Sequence, residues 1–458
     1  MRRRSQMSLT LSENRNPRQP RQLSRSRLAR YLLLGTALAV SLTVAACGGS
    51  TAASVNKKGP LRAYVFAAFE GSEAFLGPQQ EADCYTAATQ VNNAGGVLGR
   101  KLQCVPVDST SDPADAVPNA TRMLATAKNM ILIDGPGAEE QATNPVIDPA
   151  HVIEYGWDAG PYFDHNTNPL WFRWYPADTL AGVGEAVYLM AHGYTHAAGV
   201  FDTSSGAQTQ VPNLLKTYAK LGGKMAITLK LAPGNTYRSE VSQLLASHPD
   251  AIINELDTPQ ENSAFFSELS QLSGGKMPPI ITTQGAVASS TNWPQLVTKA
   301  IGVAAAERIV QISTGGALNP AGYAAYKHAL LTAPEKIVDR RQYLDNWAPA
   351  EGEDAVVVDA LAIDEAKSTN SSKVAPLILR IANGVPGAVT VNNYAEGVKE
   401  IAAGHQIRYV GAGGSTTINQ YHNIVTPFSL FRWAGPKAGW VVIPGDTLTA
   451  AQLTKFLR

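Results

Sequence analysis

From Leu61 onward, short continuous apolar runs alternate with longer stretches in which apolar residues recur at helical spacing. "LRAYVFAA" (61–68), "KLQCVPVD" (101–108), "NMILIDG" (129–135) and "HVIEYG" (151–156) have the length and composition of parallel strands buried on both faces. "EADCYTAATQVNN" (81–93) sets Cys84, Ala87, Ala88 and Val91 on one helical stripe, the stripe that would face a sheet. "DPADAVPNATRMLATAK" (112–128) opens with Asp112 as a cap and Pro113 in the first turn. The rhythm then restarts: "AAGVFD" (197–202), "KMAITLKL" (224–231), "DAIINEL" (250–256) and "MPPIITT" (277–283) read as strands with helical stretches between them. Two successive runs of this alternation predict an α/β fold of two doubly wound lobes. Near the end, "IRYVGAGG", "NIVTPFSLFRWA" and "GWVVIPG" read as short strands with turns, antiparallel in character.

The first 46 residues follow another pattern. Nine arginines and one acid, Glu13, accompany an apolar run, "YLLLGTALAVSLTVAA" (31–46), that is short for a membrane-spanning helix. A basic segment, a short apolar run and small residues before a cut make a secretory signal, starting at Met1 or Met7. "VAAC" (44–47) resembles a bacterial lipobox, whose cysteine is acylated and becomes the new N-terminus. The expectation is a signal over 1–46, a lipidated Cys47, and a flexible tether over 47–57. Removing those nine arginines and one acid from 38 basic and 37 acidic residues leaves a net charge of −7, which argues against a nucleic-acid partner. Export also changes the meaning of the other two cysteines. Cys84 and Cys104 are expected to form a disulfide that staples the first helix to the next strand, contributing on the order of 3 kcal/mol.

The stretch "QVNNAGGVLGRKLQCVPVDSTSDPADAVPNATRMLA" (90–125) resembles the opening of type I periplasmic binding proteins of the branched-chain amino acid class. "IDGPGAEEQATNPV" (133–146) falls where that family has its third strand and ligand loop, and "WFRWYPADTLAG" (171–182) where it crosses into its second lobe. "VPGAVTVNNYAEGVKEIAAGHQIRYVGAGGSTTINQYHN" (385–423) is similar to its closing segment, with "NQYHN" in place of the usual acidic turn. The resemblance implies two lobes joined by three crossings and closing on a small solute. Carried over, lobe one is 58–177 plus 313–405, and lobe two is 178–312 plus 406–458. It further implies a monomeric, non-enzymatic receptor without cofactor or metal, delivering its solute to the permease subunits of an ABC importer.

The ligand positions depart from the family pattern. Where amino-acid-binding members place a hydroxyl after the third strand, this chain has Ala138 and Glu139; after the fourth it has Tyr155, Trp157 and Asp158. Gln284 stands where an acid often pairs with the ligand ammonium, Asp178 matches an acid at the crossover, and "FDTSSG" with Ser204 lacks a frequent aromatic residue. A zwitterion in a closed cleft needs partners for both charges, because a buried unpaired charge is costly. Glu139, Asp158 or Asp257 offers an ammonium site. The substitutions otherwise favour an amide, a small organic acid or an aromatic compound stacking on Trp157, Tyr155 or Phe75.

Three further motifs have plainer readings. "HGYTH" places His192 and His196 four apart, but Gly193 between them ends the helix and no third metal ligand is evident. "GEAVYLMAH" reads as a core helix face, and the acidic run "EGEDA" (351–355) as a solvated helix start. A solute receptor for an importer therefore ranks ahead of a sensor, since the sequence carries no signalling domain. A secreted hydrolase ranks last, because no nucleophile, base and orienting group stand together.

Overall fold

The computed structural model describes residues 59–455 except 72, 75, 204, 233, 257, 284–292, 314–317, 345, 415–416 and 436–439. The expectations for Cys47 and the signal fall outside that range. Strands β1 (Leu61–Ala67), β2 (Leu102–Asp108), β3 (Met130–Asp134), β4 (Ile153–Gly156) and β5 (Trp171–Arg173) form a parallel sheet in the order β2-β1-β3-β4-β5. Strands β6 (Ala198–Phe201), β7 (Ile227–Lys230), β8 (Ile252–Glu255), β9 (Ile280–Thr283) and β10 (Ile309–Ser313) run parallel in a second sheet. A small parallel pair, β11 (Val389–Val391) and β12 (Ile407–Tyr409), stands apart. Antiparallel β13 (Phe428–Trp433) and β14 (Trp440–Leu448) then complete the second sheet as β14-β13-β10-β9-β8-β6-β7.

Each expected strand of the two parallel sheets is present. The inner strands are buried because helices cover both faces, as parallel connections require, while the edge strands β2 and β7 are partly exposed. The chain passes between the sheets after β5, after β10 and again before β13. That last passage comes later than position 406. Ile407, Tyr409, Ile418 and Ile424 all pack in the core of the first sheet, and β12 pairs in parallel with β11 rather than antiparallel.

The first core lies between its sheet and two helices, Leu76–Asn93 and Trp347–Ala366. The expected stripe is there: Cys84, Ala87, Ala88 and Val91 are buried, and Cys84 is disulfide-bonded to Cys104 of β2, with Cα atoms 6.0 Å apart. Asp112 caps the helix Pro113–Thr126 by accepting from Ala114 N–H. The helix Asp178–Ala191 is core as read, and His192 caps its end, with Gly193 next at φ 78°.

The acidic run 351–355 is buried within the helix, not a solvated helix start. Asn346, not an acid, caps the helix Trp347–Ala366, and Glu351, Glu353, Asp354 and the later Asp359 are all buried. Asp354 is held by groups distant in sequence, accepting from Tyr409 O–H (2.9 Å), Ala412 N–H (3.1 Å) and Gly413 N–H (2.7 Å). A side chain at Gly411 or Gly413 would collide with Asp354 or Glu351. Gln90 Nε2 donates to Glu353 Oε1 at 2.5 Å, and Asp83 lies close by against Gly352. Burial raises the Asp354 carboxyl to about 7 despite these donors, and lifts Asp83, Glu353 and Asp359 well above the usual range. Burial likewise takes Asp134 to about 7 and Glu154 to about 8.

Two expectations follow from this core. Acids whose folded pKa is raised contribute stability that is complete below their unfolded values near ~4 and is lost as pH climbs through ~7–8. Urea unfolding should therefore give lower stability at pH 8 than at pH 5, by on the order of a few kcal/mol; stability that is flat or rising over that interval would contradict the buried acids. The double substitution Cys84→Ser with Cys104→Ser should lower stability by about 3 kcal/mol through loop-closure entropy. An unchanged urea midpoint would count against the staple.

Candidate functional site

Ligands of open α/β sheets sit beyond the carboxyl ends of the strands, and in the first sheet those ends carry acids. After β1, the loop is tied down by Asp108 at the end of β2, whose Oδ1 accepts from Phe69 N–H and Thr110 N–H, both at 2.9 Å. Glu73 N–H donates to Ser111 Oγ (3.0 Å), and that hydroxyl donates to Glu70 O (2.7 Å). Glu73 is thereby fixed with its carboxylate accepting from Ala138 N–H and passing beside Gly137, whose φ is 74°. After β3, Gly137–Glu139 form one 3₁₀ turn that runs into the helix Glu140–Ile147.

Glu140 sets the next loop. Its Oε2 accepts from Asp158 N–H at 3.0 Å, just after β4. The opposite oxygen fills the space that a side chain at Gly135 would need and, together with the Trp171 ring, the space at Gly156. Two glycines at the ends of β3 and β4 thus make room for one buried carboxyl, and that carboxyl places Asp158. Asp158 Oδ1 in turn accepts from Gly160 N–H (2.6 Å). Ala159 O accepts from Asp178 N–H (2.9 Å), and Asp178 Oδ2 accepts from Thr209 Oγ1 (2.5 Å) in the helix Ser205–Lys220. Asp178 bridges the crossover, joining a first-sheet loop to a second-sheet helix.

Behind this loop lies Arg173, in β5 and fully buried. Its Nη2 pairs with Asp164 Oδ1 at 2.7 Å, Nη1 donates to Ala159 O (3.0 Å) and Gly160 O (3.3 Å), and Nε donates to Asn423 Oδ1 (3.0 Å). One guanidinium therefore joins the first passage between the sheets to the third.

The carboxyls facing one another are Glu73, Glu139 and Asp158. Burial raises Glu139 to about 7, with Glu73 and then Asp158 adding repulsion and its own backbone N–H and the Ser109 hydroxyl opposing the rise. Burial also raises Glu73 and Asp158; Asp158 is opposed by Gly160 N–H and by Arg173. Asp178 stands at about 7 through burial, opposed by Thr209. Glu139 is 1 % exposed, and its Oε2 has no hydrogen-bond partner within the protein.

Of the residues expected at the ligand, Ala138, Glu139 and Asp158 converge here, with Asp178 adjoining them at the crossover. Phe75, Ser204, Asp257 and Gln284 lie outside the described residues. Tyr155 and Trp157 belong to the first core instead. Tyr155 is 1 % exposed, packed against Phe172 and Trp174. Trp157 is 7 % exposed, its N–H donating to Asp134 Oδ1 (2.5 Å) and its ring against Gly352. The reason is strand parity: Ile153, Tyr155 and Trp157 alternate toward the central helix. Sequence reading missed Glu73, Glu140 and Arg173. Available signals were the paired acids of "GAEEQ" beside two glycine-ended strands, and an arginine inside the aromatic run "WFRW".

Comparison with known proteins now bears on this arrangement. Among curated proteins no sequence matches. The family described as "Periplasmic binding protein" matches residues 65–375. A leucine binding protein from Thermotoga maritima superposes with a TM-score of 0.62 at 16% identity, covering 85% of this chain and 99% of that one. An ABC transporter solute binding protein from R. palustris, in complex with 4-hydroxybenzoate, gives 0.65 at 13% identity, covering 85% and 97%. A branched-chain amino acid transporter substrate binding protein from Streptococcus pneumoniae, in complex with isoleucine, gives 0.63 at 17% identity, covering 84% and 99%. Identities this low speak for the fold, which these structures share over nearly their whole length. With its family match spanning more than half of the 458 residues, the chain belongs to the periplasmic binding protein family.

Proposed function

We propose that this protein is the extracytoplasmic solute receptor of an ABC importer, capturing a small molecule by closure of two lobes and handing it to membrane permease subunits. The observation that carries this reading is the construction of the crossover. Arg173, Asp178 and Asn423 bind the passages between the two sheets to one another, directly behind the carboxyl ends where Glu73, Glu139 and Asp158 meet. Packed sheets joined through a few element-terminal residues are suited to hinge closure, and enclosure between them gives a small solute contacts on every side. The solute complexes known for similar folds support the same use. The receptor acts as a monomer, held at the outer face of the membrane by acylated Cys47 and the tether that follows it. A sensor function would use the same cleft, but no described element offers a signalling module.

Two measurements test this reading. In a bacterial host, Cys47→Ser should release the protein from the membrane fraction or leave its signal uncut; normal processing with unchanged membrane retention would rule out the lipid anchor. A thermal-shift screen of amino acids, amides, amines and aromatic acids should yield at least one solute that raises the melting temperature by several degrees, since a ligand at 100 times its Kd stabilises by about 2.7 kcal/mol. A screen with no hit, repeated by calorimetry, would remove the receptor reading.

A further inference from the structure

From the acids of the first-lobe wall we infer that the captured solute carries a protonated amine or guanidinium, and that Glu139 is its principal partner. The inference rests on the solute-receptor reading above and specifies the ligand class of that same site. Glu73, Glu139 and Asp158 come from three separate loops, after β1, β3 and β4, so the arrangement is assembled by the fold and does not arise from one acidic run. Glu139 supplies the independent observation: it is 1 % exposed, and although its carboxyl is approached by its own backbone N–H and by the Ser109 hydroxyl, its Oε2 is left without a hydrogen bond. A buried carboxylate oxygen left in this state costs several times what a made hydrogen bond contributes, unless a donor arrives from outside.

The neighbouring cation does not serve it. Arg173 spends its donors on Asp164, Ala159 O, Gly160 O and Asn423. Glu73 is engaged by Ala138 N–H with one oxygen, and its Oε2 is buried without a hydrogen bond. A cationic head placed among Glu139, Glu73 and Asp158 would satisfy these oxygens by charge-assisted hydrogen bonds and relieve the repulsion among the three carboxyls. A carboxylate-bearing solute directed at the same wall would add a fourth negative group.

The pH dependence has a definite sign. Glu139 is faced by Glu73 and Asp158, with Arg173 and Asp164 behind Asp158, and its own carboxyl titrates at about 7 in the solute-free protein. Bound cation favours the ionised form, so affinity should fall as pH drops below 7.

The experiment is calorimetry at pH 7.5 on the purified protein with four probes: agmatine, leucine, benzamide and benzoate. Agmatine is expected to bind at least tenfold more tightly than the other three, and to lose at least tenfold in affinity at pH 5.5. Glu139→Gln should weaken agmatine by at least tenfold while leaving the melting temperature equal or higher, because it removes a buried acid. Glu73→Gln, farther from full burial, should weaken it as well. Tighter binding of leucine, benzamide or benzoate overturns the cation assignment and leaves the receptor reading intact. So does agmatine affinity that is indifferent to Glu139→Gln. If none of the four binds while the broader thermal-shift screen finds a ligand, the cation assignment fails alone; if that screen is empty too, the receptor reading falls with it.

Discussion

A single buried guanidinium ties together the chain segments beside the crossover between the two sheets. Arg173 ends a three-residue strand, pairs with Asp164, and donates to the loop after β4 and to Asn423 on the returning chain. Taking an arginine out of water is repaid only when its donors are met nearly completely, and removing one partner of such a pair typically costs about 3–5 kcal/mol. Here the donors are met by the loop between β4 and β5 and by Asn423, just ahead of the third passage between the sheets. The loop bearing Asp158 is therefore tied to the crossover: Ala159 O accepts from Asp178 N–H, and the Asp178 carboxyl accepts from Thr209 of a second-sheet helix. Burial raises Asp158, opposed by Gly160 N–H and then by the same arginine, while burial and the neighbouring Glu73 take Glu139 to about 7.

The second constraint is the density of carboxyls in the first lobe. Asp83, Asp134, Glu353, Asp354 and Asp359 are buried around the helix Trp347–Ala366, an environment that favours their neutral forms. Neutral acids donate as well as accept, which lets adjacent carboxyls such as Glu353 and Asp354 share a proton. The central helix can therefore be polar on one side and still be enclosed. Its packing is locked by glycines at 352, 411 and 413, where a side chain would displace Asp83, Asp354 or Glu351.

Most of the fold was legible in the sequence because parallel strands declare themselves by continuous apolar runs. Helix caps such as Asp112 and the Cys84–Cys104 pairing were also written locally. What was not legible depends on partners far along the chain. The run 351–355 reads as solvated until Tyr409, Ala412, Gly413 and Gln90 are known to converge on it. β5 hides because it is three residues long and ends in a charge. Of the residues proposed for the site, Ala138, Glu139 and Asp158 stand in loops beyond the carboxyl ends of β3 and β4, whereas Tyr155 and Trp157 pack in the first core, a placement that apolarity alone does not reveal because every residue of β4 is buried. Glu140 was hidden for a different reason: its importance lies in the empty volume at Gly135 and Gly156, a property of tertiary structure alone.

The central claim is that two sheets, coupled through Arg173 and Asp178, close on a small solute. Small-angle X-ray scattering of the protein, alone and saturated with a solute that raises its melting temperature, tests that claim most directly. Closure predicts a smaller radius of gyration in the bound state. An identical scattering profile with the solute demonstrably bound would contradict it.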